Sequence, residues 1–233
     1  MNRLLGFLLL APAVAGMTLT ADIMAQDEAS QVSREGLQLV EKDNRGELYA
    51  NPDVDWSRYT QIQLQEAPVS FRRHWQKDQN RRDPFKVDAR DMERIRHSLS
   101  ELFRQVFTEE LTKNGGYTMA TAAGEQVLMI KPAIVDLDVV APDTDNAGYR
   151  LQYTDSSGRM TLKLELYDSV TGELLATASV RMEDPRRGYL EWTTSASNRA
   201  DAQRLLRKWA VVLRQKLDKA SNHPQPSAED LKE

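Results

Sequence analysis

Apolar side chains recur along this chain at two periods, and each period occupies its own stretches. Met92, Ile95, Leu99, Leu102, Val106 and Leu111 are spaced by three to five, and Phe103 and Phe107 broaden the stripe. That spacing predicts a helix with one buried face. Asp88 stands at its N-cap with Asp91 three residues on, and Asn114-Gly115-Gly116 ends it. A second helix opens near Asn198 with Asp201 in its first turn. Its apolar face reads Ala202, Leu205, Leu206, Trp209, Val212 and Leu213, and its outer face is basic through Arg204, Arg207, Lys208 and Arg214.

The other period is two. Residues 59–66 offer Ile62 and Leu64 to one side, and residues 127–140 form a nearly continuous apolar run interrupted by Asp136 and Asp138. Met160, Leu162, Leu164 and Leu166 alternate with Thr161, Lys163, Glu165 and Tyr167. After the turn Asp168-Ser169-Val170-Thr171-Gly172, alternation resumes through Leu174, Ala176, Ala178, Val180 and Met182. This predicts a β-hairpin with one wet face. Strand, long helix, several strands, helix is an α+β order. The expectation is a single domain whose mainly antiparallel sheet carries both long helices on one face.

Composition changes the picture at the ends. Asn2-Arg3, the apolar run Leu4 to Leu10, and Ala25 before Gln26 predict an export signal over residues 1–25, too short to span a bilayer. A polar linker (26–34), the α+β domain (35–218) and a Pro-rich charged tail (219–233) follow. The chain of 233 residues has no cysteine, which excludes disulfides, thiol chemistry and Cys-ligated metals. It also removes the acyl acceptor of a bacterial lipoprotein, so the expectation is a soluble periplasmic or secreted protein with no transmembrane segment after cleavage. A net charge of −4 argues against nucleic acid as a partner.

Several stretches resemble a known family. Glu35-Gly-Leu-Gln-Leu-Val40, Leu48-Tyr-Ala-Asn-Pro52, Asp55, Tyr59 and Leu166-Tyr-Asp-Ser-Val-Thr-Gly-Glu173 are similar to the bacterial domain-of-unknown-function family 3313, over roughly residues 35–218. The resemblance implies an exported or lipid-anchored envelope protein and implies no activity.

The strongest local anomaly is residues 71–86, with six Lys/Arg against two Asp and three interleaved aromatics. Arg72, Arg73, Arg81 and Arg82 with Trp75 are the candidate anion- or partner-binding residues, suited to an envelope protein, an anionic glycan or a lipid headgroup. The competing reading is a solvated connection between strand and helix, with Trp75 and Phe85 at the core edge. Asp136 and Asp138, two apart on a strand, would share one face if the strand stays regular, and the alternative function is a metal-dependent or hydrolytic envelope enzyme using that pair. Asp143 and Asp145 follow in the loop. His74, His97 and His223 show no metal-binding spacing, and no nucleophile elbow or phosphate loop occurs. The expected function is a non-catalytic binding or interaction protein of the cell envelope, with no cofactor.

Overall fold

The computed structural model describes residues 36–82, 86–139, 159–183 and 195–221. The expected export signal and polar linker, and most of the expected tail, lie outside the described residues, as do Phe85, Asp143, Asp145 and His223.

In chain order the elements are strands β1 (Gln38–Lys42), β2 (Gly46–Ala50), β3 (Gln61–Leu64) and β4 (Val69–Phe71), helices α1 (Trp75–Arg82) and α2 (Ala89–Thr112), strands β5 (Thr118–Met119), β6 (Val127–Asp138), β7 (Arg159–Asp168) and β8 (Leu174–Glu183), and helix α3 (Ser195–Ser221). One eight-stranded sheet runs β1-β2-β8-β7-β6-β3-β5, with β4 also on β6. The expected antiparallel pairing holds from β1 to β6. The remainder corrects it, because β3 and β4 run parallel to β6, and β3 parallel to β5. A strand–helix–strand crossover through α2 returns the chain in its starting direction, and parallel pairing follows. Residues 65–68 separate β3 from β4, a short strand beyond the expected one at 59–66. Both lie along the same strand, β3 beside Val127 to Ile130 and β4 beside Ile134 to Leu137.

Alternation on β7 buries Met160, Leu162, Leu164 and Leu166 and leaves Lys163 and Glu165 in water. Ile130 and Ile134 of β6 join that dry face, which the two long helices cover in one continuous core. Helix α2 starts as its sequence predicts: Asp88 accepts from the Arg90 and Asp91 amides, and the Asp91 side chain accepts from the Asp88 amide. Its buried stripe is Leu99, Leu102, Phe103, Val106, Phe107 and Leu111, with the two phenylalanine rings stacked at 3.9 Å.

Helix α3 requires two corrections. Val212, read as buried, is 48% exposed, while Arg214, read as part of the basic outer face, is buried. Extending the stripe from Leu206 and Ala210 at helical spacing carries it through Arg214, Leu217 and Ser221, which turns Val212 outward. The helix also begins at Ser195 and continues to Ser221, past the expected domain edge at residue 218. Gly46 is required by a close approach: a Cβ there would stand 2.1 Å from the Ser179 carbonyl oxygen of β8.

Candidate functional site

The basic segment 71–86 is not a plain loop. Trp75 to Arg82 is helical, and the inner face of this short helix is fastened to the rest of the molecule by side-chain amides and an indole. Trp75 Nε1 donates to the Val139 carbonyl at 2.7 Å, and Gln79 Nε2 donates to the same oxygen at 3.3 Å. One turn along, Gln76 Nε2 and Asn80 Nδ2 donate to the Val87 carbonyl at 3.0 and 3.1 Å, while Asn80 Oδ1 accepts from the Val87 amide at 2.7 Å. The pairs 75/79 and 76/80 are four apart, so all four groups share one side of α1.

Arg72, just ahead of the helix, completes the anchorage. Its Nε donates to Asp138 Oδ2 at 2.8 Å and its Nη1 to Asp78 Oδ2 at 3.0 Å. The hydrogen bond from Arg72 holds the Asp78 carboxyl below the ordinary carboxylate range. Arg159 also faces Asp138 Oδ2, at 3.4 Å. Arg72 is therefore neutralised inside the protein and is not available to a ligand.

Trp75 requires a correction as a stacking residue. It is 1% exposed, its ring lies 4.2 Å from the Phe71 ring in a stacked pair, and it cannot meet an incoming molecule. It orders the helix instead. Of the other residues expected to bind, Arg73 and Arg81 are exposed, as is Lys77 between them. Arg82 closes α1, and its side chain lies outside the described residues. No ion pair among the described residues engages Arg73, Lys77 or Arg81, whereas Arg90, Arg94 and Arg96 on the neighbouring helix are each paired with an adjacent carboxylate. Lys77 and Arg81 are one turn apart, a rise of about 6 Å, and Arg73 stands in the turn that leads into α1, where His74 at φ 65° departs from the helical path. The result is a convex cationic ridge on an anchored helix. Lys77 is not among the candidate binding residues above; its sequence signal is the four-residue spacing to Arg81.

Asp136 and Asp138 do not converge. The β6–β7 register slips between Val135 and Asp138, and Asp136 adopts φ 53°, a left-handed conformation that turns its side chain to solvent. Asp138 points inward to Arg72, and its Oδ1 has no hydrogen-bond partner among the described residues. The irregular strand removes the premise on which the shared face rested. Among the described residues, no group of three or more His, Cys, Asp or Glu is placed to hold a metal ion. His74, at φ 65°, and His97 are both exposed.

Two further polar clusters are structural. Tyr59 donates its hydroxyl to Asp168 Oδ2 at 2.9 Å, and Asp168 Oδ1 accepts from the Val170 and Thr171 amides, tying the segment before β3 to the β7–β8 turn. Burial and this bond push the Tyr59 phenol up to about 12. The Thr171 amide, opposed by burial and helped by the Tyr59 hydroxyl, holds Asp168 below the ordinary range. At the opposite helices, Arg214 Nε pairs with both carboxylate oxygens of Asp218 at 3.0 and 2.8 Å. Its Nη1 donates to the carbonyls of Glu110, Leu111 and Lys113, so a side chain of α3 caps the C-terminal end of α2.

Among solved structures the chain is similar to a PelC dodecamer subunit from Paraburkholderia phytofirmans, at 13% identity over 72% of this chain and 97% of that one with a TM-score of 0.34. It is also similar to a PDZ domain protein from Parabacteroides distasonis, at 13% identity over 89% of this chain and 42% of that one with a TM-score of 0.37. A third likeness is to a DUF330 protein from Xanthomonas campestris, at 14% identity over 74% and 91% with a TM-score of 0.35. No curated protein matches the chain. A family model described as "Protein of unknown function (DUF3313)" matches residues 27–213, in agreement with the resemblance carried by the Tyr59 and Asp168 segments, and the chain belongs to that family.

Proposed function

We infer that this protein is an exported, non-catalytic interaction protein of the bacterial cell envelope, and that the ridge Arg73, Lys77 and Arg81 is its contact surface for an anionic partner. The observation that carries this reading is the pairing pattern. Basic side chains on α2 are neutralised by neighbours, while Lys77 and Arg81 in one row on α1, with Arg73 in the turn before it, are exposed and without an ion pair among the described residues. Such a group attracts an anion more strongly than three scattered cations because its potentials add within one screening length of about 8–10 Å. Anchorage of the inner face by Trp75, Gln76, Gln79 and Asn80 supports the reading further, since a preorganised helix loses little conformational freedom on binding.

Export is supported by the sequence pattern of residues 1–25, Asn2-Arg3 followed by the apolar run Leu4 to Leu10, and no helix among the described residues is long and apolar enough to cross a membrane. A non-catalytic role is supported by the divergence of Asp136 and Asp138, the one carboxylate pair the sequence offers as a catalytic centre. Retention on an immobilised polyanion tests the reading. The wild-type chain should elute at higher salt than R73S/K77S/R81S, and equal elution of the two contradicts the assignment.

A further inference from the structure

The shape and chemistry of the ridge narrow its partner. Resting on the reading of α1 as the contact surface, we propose that the partner is an anionic lipid surface, which the ridge meets as a row of point charges without inserting a side chain.

Three observations favour a lipid surface over an anionic glycan. The first is the lack of an exposed ring. Sugars present C–H faces that dock on aromatic rings, yet none of the described aromatic residues is exposed; beside the ridge, Trp75 is buried and Phe71 is sandwiched between Trp75 and the Arg96 guanidinium. The second is shape. The ridge is an outer surface, and a cavity of about 620 Å³ among the described residues lies elsewhere, along α2 and the start of α3, lined by Glu101, Arg104, Gln105, Thr108, Glu109 and Arg199. A convex row fits a surface better than it fits an enclosed oligosaccharide or a single phosphate.

The third is the grouping of the cations. Lys77 and Arg81 stand one helical turn apart on the outer side of α1, and Arg73 precedes them in the exposed turn that opens the helix, so one short segment presents all three cations. Each Lys or Arg held near an anionic plane contributes about fivefold in affinity, ~1 kcal/mol, and the contribution decays within a Debye length. Three of them give roughly 100-fold over a neutral surface. No large apolar side chain of the described ridge accompanies them, so the contact is electrostatic and reversible by salt.

The test is vesicle co-sedimentation of the full mature chain, using phosphatidylglycerol/phosphatidylcholine vesicles, pure phosphatidylcholine vesicles and, separately, a soluble polyuronate chain. Two variants are compared with wild type: R73S/K77S/R81S, and K163S/K208S/K219S, which removes the same charge from exposed positions off the ridge. The expected result is wild-type binding to the phosphatidylglycerol vesicles only, roughly 100-fold weaker binding by the ridge variant, and near wild-type binding by the second variant. Binding should collapse between ~0.1 and ~1 M salt, as the Debye length shrinks from about 10 to 3 Å. Ridge-dependent binding to the polyuronate with none to vesicles overturns the lipid inference and leaves the contact surface standing. Equal loss in both variants shows that net charge, not the ridge, attracts the vesicle, and overturns the proposal. No binding to either probe overturns the contact surface itself.

Discussion

The helix junction around Arg214 and the ridge on α1 are both built from basic side chains on helices, and both read in the sequence as basic surface. In the structure they part completely. Arg214 is sealed between two helices, with its side chain 7% exposed and Asp218 at 1%, and its hydrogen bonds all end inside the protein. Arg73, Lys77 and Arg81 end in water. What separates them is the partner supply. Asp218 lies four residues from Arg214 and three carbonyls at the C-terminal end of α2 accept from it, whereas the one acidic residue within α1, Asp78, is already taken by Arg72. A cation that finds its full set of acceptors within the fold becomes structure; one that does not remains available.

This contrast is broken most severely at Arg214. Arg214→Ala leaves a buried Asp218 without its counter-charge and uncaps α2, and it is expected to cost ~3–5 kcal/mol in denaturant unfolding. A cost below ~1 kcal/mol would mean that the junction opens to water. Gly116 sharpens the same point, because a Cβ there would lie 2.4 Å from both Arg214 Nη1 and the Leu111 carbonyl oxygen. Gly116→Ala should therefore destabilise by ~1–3 kcal/mol through displacement of the guanidinium.

Arg72 lies between the two extremes, half-buried and shared by Asp78 and Asp138. Arg72→Ala should cost ~1.5–3 kcal/mol, the usual loss for hydrogen bonds to charged groups. Amide exchange should accelerate in α1 more than in α2. Uniform acceleration across both helices would deny Arg72 its anchoring part.

The Tyr59–Asp168 contact gives a pH signature that neither basic region shares. Asp168 has a depressed folded pKa, so its contribution is present above the unfolded value near 4 and is lost as pH falls through the folded one. Tyr59 has a raised one, so its contribution is complete below about pH 10 and is lost as pH rises towards about 12. Tyr59→Phe should flatten the alkaline limb of a urea-midpoint profile while leaving the neutral chain folded. An unchanged alkaline limb would contradict the assignment. Smallest of all is the effect of the ridge on stability: R73S/K77S/R81S should unfold within ~0.5 kcal/mol of wild type, as exposed surface substitutions do.

Much of this architecture was legible in the chain. The Asp88 capping box, the Phe103–Phe107 stripe, the Asn114-Gly115-Gly116 stop and the Asp168–Gly172 turn are each local patterns, and local patterns survive folding. What stayed hidden depends on partners far along the chain. The parallel pairing of β3 with β6 joins residues some sixty positions apart. The burial of Arg214 depends on carbonyls about a hundred residues away, and its charge had marked it as surface. Trp75 was visible as an aromatic among cations; that its indole N–H would be spent on Val139 was not. Asp136 and Asp138 failed as a pair because a single slip of register reversed one of them. On the candidate site, segment 71–86 was found by charge, but the division of its residues into anchors and outward cations appears only once α1 is seen as a helix.

The most direct measurement is amide hydrogen exchange of residues 26–233 with and without phosphatidylglycerol vesicles. New protection confined to residues 73–81, with the 110–117 and 214–218 segments unchanged, is the predicted result. Protection that appears elsewhere on the sheet or along α3 while α1 exchanges as before would contradict the claim that this ridge is the surface the protein presents to its partner.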